Sequence, residues 1–427
     1  MTECQTNHTP VVIVGGGQAG LSTAYCLKKK GIESIIFERY EKFHSWRNNR
    51  WDSFCLVTPN WQCRLPDFHY DREYGGTDPD GFMLKDEIVD YVDAFAEMSQ
   101  PDLRENVEVT RVAPRKGGGF KVETSIGAWT CEHVVIATGG YDTPIEPPFA
   151  ANLDPEVFQM HSVDYRNVDQ FPVGGVLVVG TGQSGVQLME DFVRAGRDVH
   201  LAVGPAPRSP RKYRGRDATD WLNDAGHYGI TIAEHPDPLK AMRQTNHYMS
   251  GRDGGKEIDL RRFHVDHGVE LYGSLADMNG SKVNFMPDLA TNLDDADRSY
   301  MGIRNQIDAY IAREGIDAPE EPPFEKVWEP TTERTEIDLS KEGITSVLWA
   351  IGFRPNYSWI EADVFDARGK PVFDRGVTAQ KGLSFIGLGW LNTWGSGRFL
   401  GIEEDSRYLA EQIATQLGAV TKQVCHA

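Results

Sequence analysis

Val11-Val12-Ile13-Val14-Gly15-Gly16-Gly17-Gln18-Ala19-Gly20 decides how the N-terminal half of this chain folds. Four β-branched residues without a polar interruption predict a parallel strand covered on both faces. The glycines Gly15-x-Gly17-x-x-Gly20 follow, and Leu21 to Lys30 reads as a helix that ends at Gly31. Gly15 permits the tight turn, Gly17 lets backbone approach a pyrophosphate, and Gly20 lets the helix sit close to the strand. The helix N-terminus then presents free N–H groups and the positive end of its dipole to phosphate, with Gln18 and Ala19 in the first turn. A second strand, Ser34 to Phe37, ends in Glu38, from which a carboxylate reaches a ribose 2′-hydroxyl and repels a 2′-phosphate. The site suits FAD or NAD rather than NADP.

The pattern returns at Val176-Leu177-Val178-Val179 and Gly180-Thr181-Gly182-Gln183-Ser184-Gly185, followed by a helix from Val186 to Ala195. Ser184 adds a hydroxyl donor. The next strand, Val199 to Val203, has no acid at its tip. Arg208, Arg211, Lys212, Arg214 and Arg216 come soon after it, a composition that suits a 2′-phosphate and hence NADPH, with Arg208 as its candidate reader. The alternative is a solvated basic loop. Two fingerprints in one chain predict two stacked dinucleotide folds, FAD in one and a nicotinamide cofactor in the other, arranged for hydride transfer. The expected class is α/β: two Rossmann-like dinucleotide-binding domains, the NAD(P)H domain (170–330) inserted into a discontinuous FAD domain (10–169 and 331–418). A polar, partly helical insertion is expected at about 211–329.

Bulk properties bound the rest. A chain of 427 residues is long enough for two or three domains. A net charge of -19 disfavours nucleic acid, which needs clustered Lys and Arg. No apolar run approaches a membrane span, and Met1 to Pro10 lacks the features of a signal peptide, so a cytoplasmic protein is expected. The six cysteines include no Cys-x-x-Cys, which points to free thiols. No histidine grouping has metal-ligand spacing, and no metal is expected.

Further segments carry a family resemblance. Ala137-Thr138-Gly139-Gly140 follows the strand His133 to Ile136, and Ala350-Ile351-Gly352-Phe353-Arg354-Pro355 follows Ser346 to Trp349. His161-Ser162-x-x-Tyr165 precedes the second fingerprint, and Ser45-Trp46-Arg47 and Thr58-Pro59-Asn60-Trp61 lie in the N-terminal third. With these the chain resembles, over essentially its whole length, the two-dinucleotide-binding-domain flavoproteins. Within them it is most similar to the class B flavoprotein monooxygenases, including the flavin-containing and the plant indole-3-pyruvate enzymes. A narrower likeness is to bacterial flavoproteins encoded beside nitrilases. The monooxygenase signature F-x-G-x-x-x-H-S-x-x-Y/W is kept at His161, Ser162 and Tyr165, while Pro155 and Val157 replace its Phe and Gly. Ile351 stands where the family has threonine, and Gly389 is followed by Trp390 where related reductases carry Gly-Asp.

The resemblance implies that Trp46, Arg47, Thr58, Ala137, Thr138 and Gly139 contact FAD, and that Ile351 and Gly352 lie against NADPH. The implied reaction transfers one oxygen atom from a C4a-(hydro)peroxyflavin to a small organic substrate, with O2 consumed. The alternatives are an NAD(P)H dehydrogenase or oxidase with the same cofactors, or a flavoprotein-fold binding module. His161 and Asn60 are the candidate catalytic side chains, with a linker role as the other reading of His161. Oligomeric state is not legible.

Overall fold

The computed structural model describes residues 7–243 and 246–424, with side chains as far as 418. Cys4 and Cys425 fall outside the described residues. The first parallel sheet begins with β1 (Val11–Val14), all four residues buried, and continues through α1 (Gln18–Lys29) into β2 (Ser34–Phe37). Helix α2 (Lys85–Ser99) leads to β3 (Asp102–Arg104). An antiparallel meander, Val109–Pro114, Phe120–Thr124 and Gly127–Cys131, returns the chain to β4 (His133–Ile136). β4 and β2 flank β1 in register, Val11 opposite His133 on one side and Ser34 on the other.

The chain then leaves through β5 (Thr143–Pro144) and builds a second sheet of the same design. Its strands are β6 (Phe158–His161), β7 (Gly175–Val179), β8 (Val199–Ala202) and β9 (Glu270–Tyr272), with α3 (Gln183–Arg194) between β7 and β8. Helix α4 (Leu289–Glu314) follows, and β10 (Ile344–Trp349) comes back beside β7. The return crossing, β11 (Phe353–Arg354), pairs antiparallel with β5, so the outgoing and incoming chains lie side by side. β12 (Leu383–Phe385) then adds to the outer side of β4, and α5 (Phe399–Val424) packs on α1.

The strand orders are β12-β4-β1-β2-β3 and β6-β10-β7-β8-β9. In both sheets a fingerprint strand occupies the centre, which is why Val11–Val14 and Val176–Val179 are apolar on both faces.

Two expectations of organisation change. β6 and β10 pair in the second sheet, although residues 158–161 and 344–349 fell within the expected FAD segments 10–169 and 331–418. Strand pairing moves the crossings to β5 and β11. Nor is 211–329 a single insertion. Glu270–Tyr272 pairs with β8 inside the sheet, and the hairpin Leu275–Asn279/Lys282–Phe285 joins Glu336–Asp338 in a three-stranded meander like that of the first half. The extra chain is therefore two excursions, one between β8 and β9 and the other carrying α4. Short strands of three residues escaped a reading based on longer apolar runs.

The closest backbone approach recurs in both halves. A Cβ on Gly20 would lie 2.0 Å from the Gly15 carbonyl oxygen, and one on Gly185 would lie 2.0 Å from that of Gly180. We expect Gly20→Ala to lower the melting temperature clearly, since overpacking against fixed backbone costs about 1–3 kcal/mol or more. Gly17→Ala, whose Cβ would meet nothing within 4 Å, serves as the control. Equal melting curves for the two variants would contradict this seating of α1.

Candidate functional site

Both glycine turns are open cradles. Helices α1 and α3 begin after Gly17 and Gly182, and neither first turn is capped by a side chain, which leaves N–H groups free for an external acceptor. A Cβ on Gly17 or on Gly182 would meet nothing within 4 Å. Space beside uncapped helical N–H groups is what an approaching pyrophosphate requires. Gly15 and Gly180 have φ of +112° and +104°, a region that side chains strain to occupy. They also press against Ala137 and Ala350, whose carbonyl oxygens would be 2.6 and 2.8 Å from an added Cβ. Each fingerprint is thus fitted to its own strand-end motif, Ala137-Thr138-Gly139 in the first half and Ala350-Ile351-Gly352 in the second. Ala19 is buried, Thr138 is exposed, and Gly139, Ser184, Ile351 and Gly352 are partly open.

Around the first cradle, the Glu38 carboxylate accepts the Gly16 N–H at 2.6 Å and the Tyr40 N–H at 2.9 Å. These bonds hold it at the tip of β2 beside the turn. Trp46 donates its indole N–H to Gln18 at 2.8 Å and stacks on Phe399 at the start of α5. Trp46 therefore joins the first turn of α1 to the first residue of the final helix. Arg47 is ion-paired with Asp93, which Lys42 shares. Thr58 is half-buried. Trp51 belongs to the hydrophobic core under the second sheet.

Asn60 is not free for chemistry. It is buried, donates to the Asp78 carbonyl at 2.9 Å and accepts the Met83 N–H at 2.7 Å, a bracket for its loop. His161 is likewise occupied. Its Nδ1 accepts the Val163 N–H, and Nε2 faces the Gly352 carbonyl at 3.3 Å. Burial lowers its pKa, so the neutral ring holds the β11 approach to the end of β6. The linker reading of His161 is the one this geometry supports. Tyr165 donates to Asp191 on α3 at 2.6 Å, and Asp191 also binds Ser53 and Arg252 at 2.7 Å each. This ties crossing, first half and second half together.

Around the second cradle, Gln183 exchanges both ends of its amide with the Met249 backbone. Thr181, which motif reading did not single out, bonds the Gly204 carbonyl and N–H, both at 3.0 Å, and pins the turn to the tip of β8. Arg208 requires a correction. Sequence distance placed it near the β8 tip, but it is 1% exposed and bonded to Asp297 at 2.8 Å and Glu257 at 3.0 Å, with Asp259 at 3.3 Å. Burial works against its charge, and these three carboxylates overcome that and raise its pKa. A guanidinium so committed does not reach a cofactor phosphate. Arg211, Arg214 and Arg216 are also matched, to Asp217, Asp308 and Asp224. Asp297 lies 89 residues from Arg208 in sequence, so motif reading had no access to that pairing.

Among the described residues no group of three or more His, Cys, Asp or Glu side chains is placed to hold a metal ion, and no helix is long and apolar enough to cross a membrane. The described cysteines, Cys26, Cys55, Cys63 and Cys131, are free and buried, and burial pushes Cys26 and Cys131 up to about 12 and Cys55 to about 11.

The family model for pyridine nucleotide-disulphide oxidoreductases matches residues 12–223. An uncharacterized CzcO-like oxidoreductase of Geobacillus kaustophilus is 30% identical over 405 residues, 94% of this chain and 97% of the relative. The chain belongs to the CzcO-like oxidoreductase family. Indole-3-pyruvate monooxygenase YUCCA1 of Oryza sativa subsp. japonica is 31% identical over 206 residues, 45% of this chain and 47% of that enzyme. The flavin-containing monooxygenase of Stenotrophomonas maltophilia shares the fold, with a TM-score of 0.65 over 96% of this chain and 99% of that one at 18% identity. The bacillithiol disulfide reductase of Staphylococcus aureus shares it at a TM-score of 0.58 and 14% identity, over 96% and 99% of the two chains. The fold of this oxidoreductase is that of the two-dinucleotide-binding flavoproteins.

Arg208→Ala should act on stability, because it removes an ion-pair partner from the buried Asp259 and Asp297. Removing one partner of such a group costs about 3–5 kcal/mol. Thermal unfolding should show this loss. An unchanged melting temperature together with weakened nicotinamide-cofactor binding would restore Arg208 to the cofactor site.

Proposed function

We propose that this chain is an FAD- and NADPH-dependent monooxygenase that places one atom of O2 into a small organic substrate in the cytoplasm. The observation that carries the two-cofactor part is the repeated cradle: uncapped helix starts at Gly17 and Gly182 with nothing within 4 Å of an added Cβ. FAD fits the first, where the Glu38 carboxylate is held at the strand tip for ribose hydroxyls. The nicotinamide cofactor fits the second, with Gly180, Gly182, Ser184 and Gly185 at the phosphates and Ile351 and Gly352 beside them. NADPH rather than NADH rests on the tip of β8, where Val203-Gly204 replaces an acid. When bound, the pair supplies hydride transfer and oxygen activation. Oxygen insertion is supported by the indole-3-pyruvate monooxygenases among the relatives and by the retained His161-Ser162-x-x-Tyr165.

The protein's own work is to bind, orient and exclude water. Trp46 and Phe399 wall one side of the first site by stacking on each other. His161 and Tyr165 fix the crossing that sets one cradle against the other. The Ile232 N–H donates to the Asn392 carbonyl at 2.6 Å, so the first excursion closes over the loop before α5.

Gly17→Val should fold and yet purify without yellow colour, because its Cβ meets no protein atom within 4 Å and its branches occupy the pyrophosphate space. A variant loaded to the same flavin content as the parent would remove FAD from this site.

The reaction is tested with NADPH, 18O2 and a panel of thioethers, amines and ketones. Mass spectrometry should find one heavy oxygen in a product, with NADPH consumed in proportion. Complete recovery of the oxygen as hydrogen peroxide across the panel would instead make the chain an NAD(P)H oxidase.

A further inference from the structure

The first excursion meets the first half of the chain along a seam. Thr231 bridges to Thr393, and the Tyr228 and Trp394 rings pack 4.7 Å apart. On the neighbouring loop, Trp61 donates to Asp220 at 2.9 Å.

Arg398 sits in this seam, one residue before α5. Its guanidinium lies 4.1 Å from the centre of the Trp394 ring. It donates to the Trp394 carbonyl and the Asn246 side-chain oxygen, both neutral. The described residues place no carboxylate within ion-pair distance of it. Arg208, Arg211, Arg252 and Arg261 are all buried or nearly so, and each has such a partner. Arg398 is half-buried; burial lowers its pKa, and the positive end of the following helix adds to the cost of its charge. The neighbouring imidazoles bring no charge: burial lowers His227 and holds His247 at about 4.

A second donor points to the same place. Gln62 is 2% exposed, and its amide nitrogen turns toward the Tyr228 hydroxyl without closing a hydrogen bond. Burial raises the pKa of Tyr228, so its hydroxyl stays protonated. An uncompensated guanidinium, an unused amide and a phenol, beside two facing aromatic rings, call for an acceptor that is anionic and carried on a flat or apolar body.

We infer that the seam formed by Tyr228, Asn246, Trp394 and Arg398 binds the substrate, and that the substrate is an organic acid whose carboxylate is held by Arg398. Asn246 and Gln62 complete the donor set, and the body of the acid lies against Tyr228 and Trp394. This rests on the proposed oxygenase reading and narrows it to a substrate class. A phosphate of the nicotinamide cofactor shares the anionic chemistry, and the test separates the two.

The FAD-loaded protein is titrated calorimetrically with 3-(phenylthio)propanoate, with its methyl ester, and with NADP+. The acid should bind at least about tenfold more tightly than the ester, the range of one charge-assisted hydrogen bond. Arg398→Ala should bring the acid to the affinity of the ester, Arg398→Lys should recover part of the difference, and NADP+ should move by less than about twofold. Equal binding of acid and ester by the parent protein, or no binding of either, overturns the inference and needs no variant. Arg398→Ala weakening NADP+ as much as the acid also overturns it, and assigns Arg398 to the cofactor. Acid selectivity without oxygen transfer to the thioether would sink the oxygenase reading and leave this site standing. Oxygen transfer without acid selectivity would do the reverse.

Discussion

Contact between a helix and a strand at a point where no side chain fits is the constraint on which the molecule is organised. Gly20 against Gly15, and Gly185 against Gly180, bring α1 and α3 down onto the turns of their own strands. Seated there, each helix aims uncapped N–H groups along the carboxyl end of its sheet, where a phosphate can take them. Ala137 and Ala350 close the same turns from the neighbouring strand. Turn conformation and cradle are consequences of one close approach, made twice.

The two copies must also face one another, and polar contacts rather than a shared core do much of that work. β5 and β11 pair as the chain passes out and back, and His161 holds the approach to β11. Asp191 gathers Tyr165 from the crossing, Ser53 from the first half and Arg252 from the second. Buried charge is expensive unless each group is paired. In that light the Arg208–Asp297–Arg261 cluster is architecture: it anchors the first excursion to α4, which contributes Asp297. The excursion, so anchored, reaches over the loop that precedes α5.

Much of this fold was legible in the sequence because it is local. A strand, a glycine turn and a helix follow one another within about twenty residues, and their periodicity, φ demands and dipoles act at that range. The alternation of two such units implied paired nucleotide folds, and Glu38 announced its place by its distance from Gly20. The short strands Glu270–Tyr272 and Glu336–Asp338 were not legible. Three residues carry too little pattern, and they are strands because a neighbouring strand offers hydrogen bonds. For the same reason the domain boundaries followed strand pairing, which put β6 and β10 in the second sheet.

The sequence by itself determined where two dinucleotide turns lie, which glycines they need, and that the first has an acid at its strand tip while the second has none. Tertiary structure alone decided what each charged side chain does. Arg208, Arg211 and Arg216 looked equivalent in a basic run, yet Arg211 and Arg216 pair with the nearby Asp217 and Asp224, while Arg208 is buried against Asp297 from far along the chain. Arg398, unremarkable in sequence, was left between a tryptophan face and neutral oxygens. The reason is physical: backbone geometry is set by neighbours in the chain, whereas the state of a charge is set by whatever the fold places within a few ångströms of it.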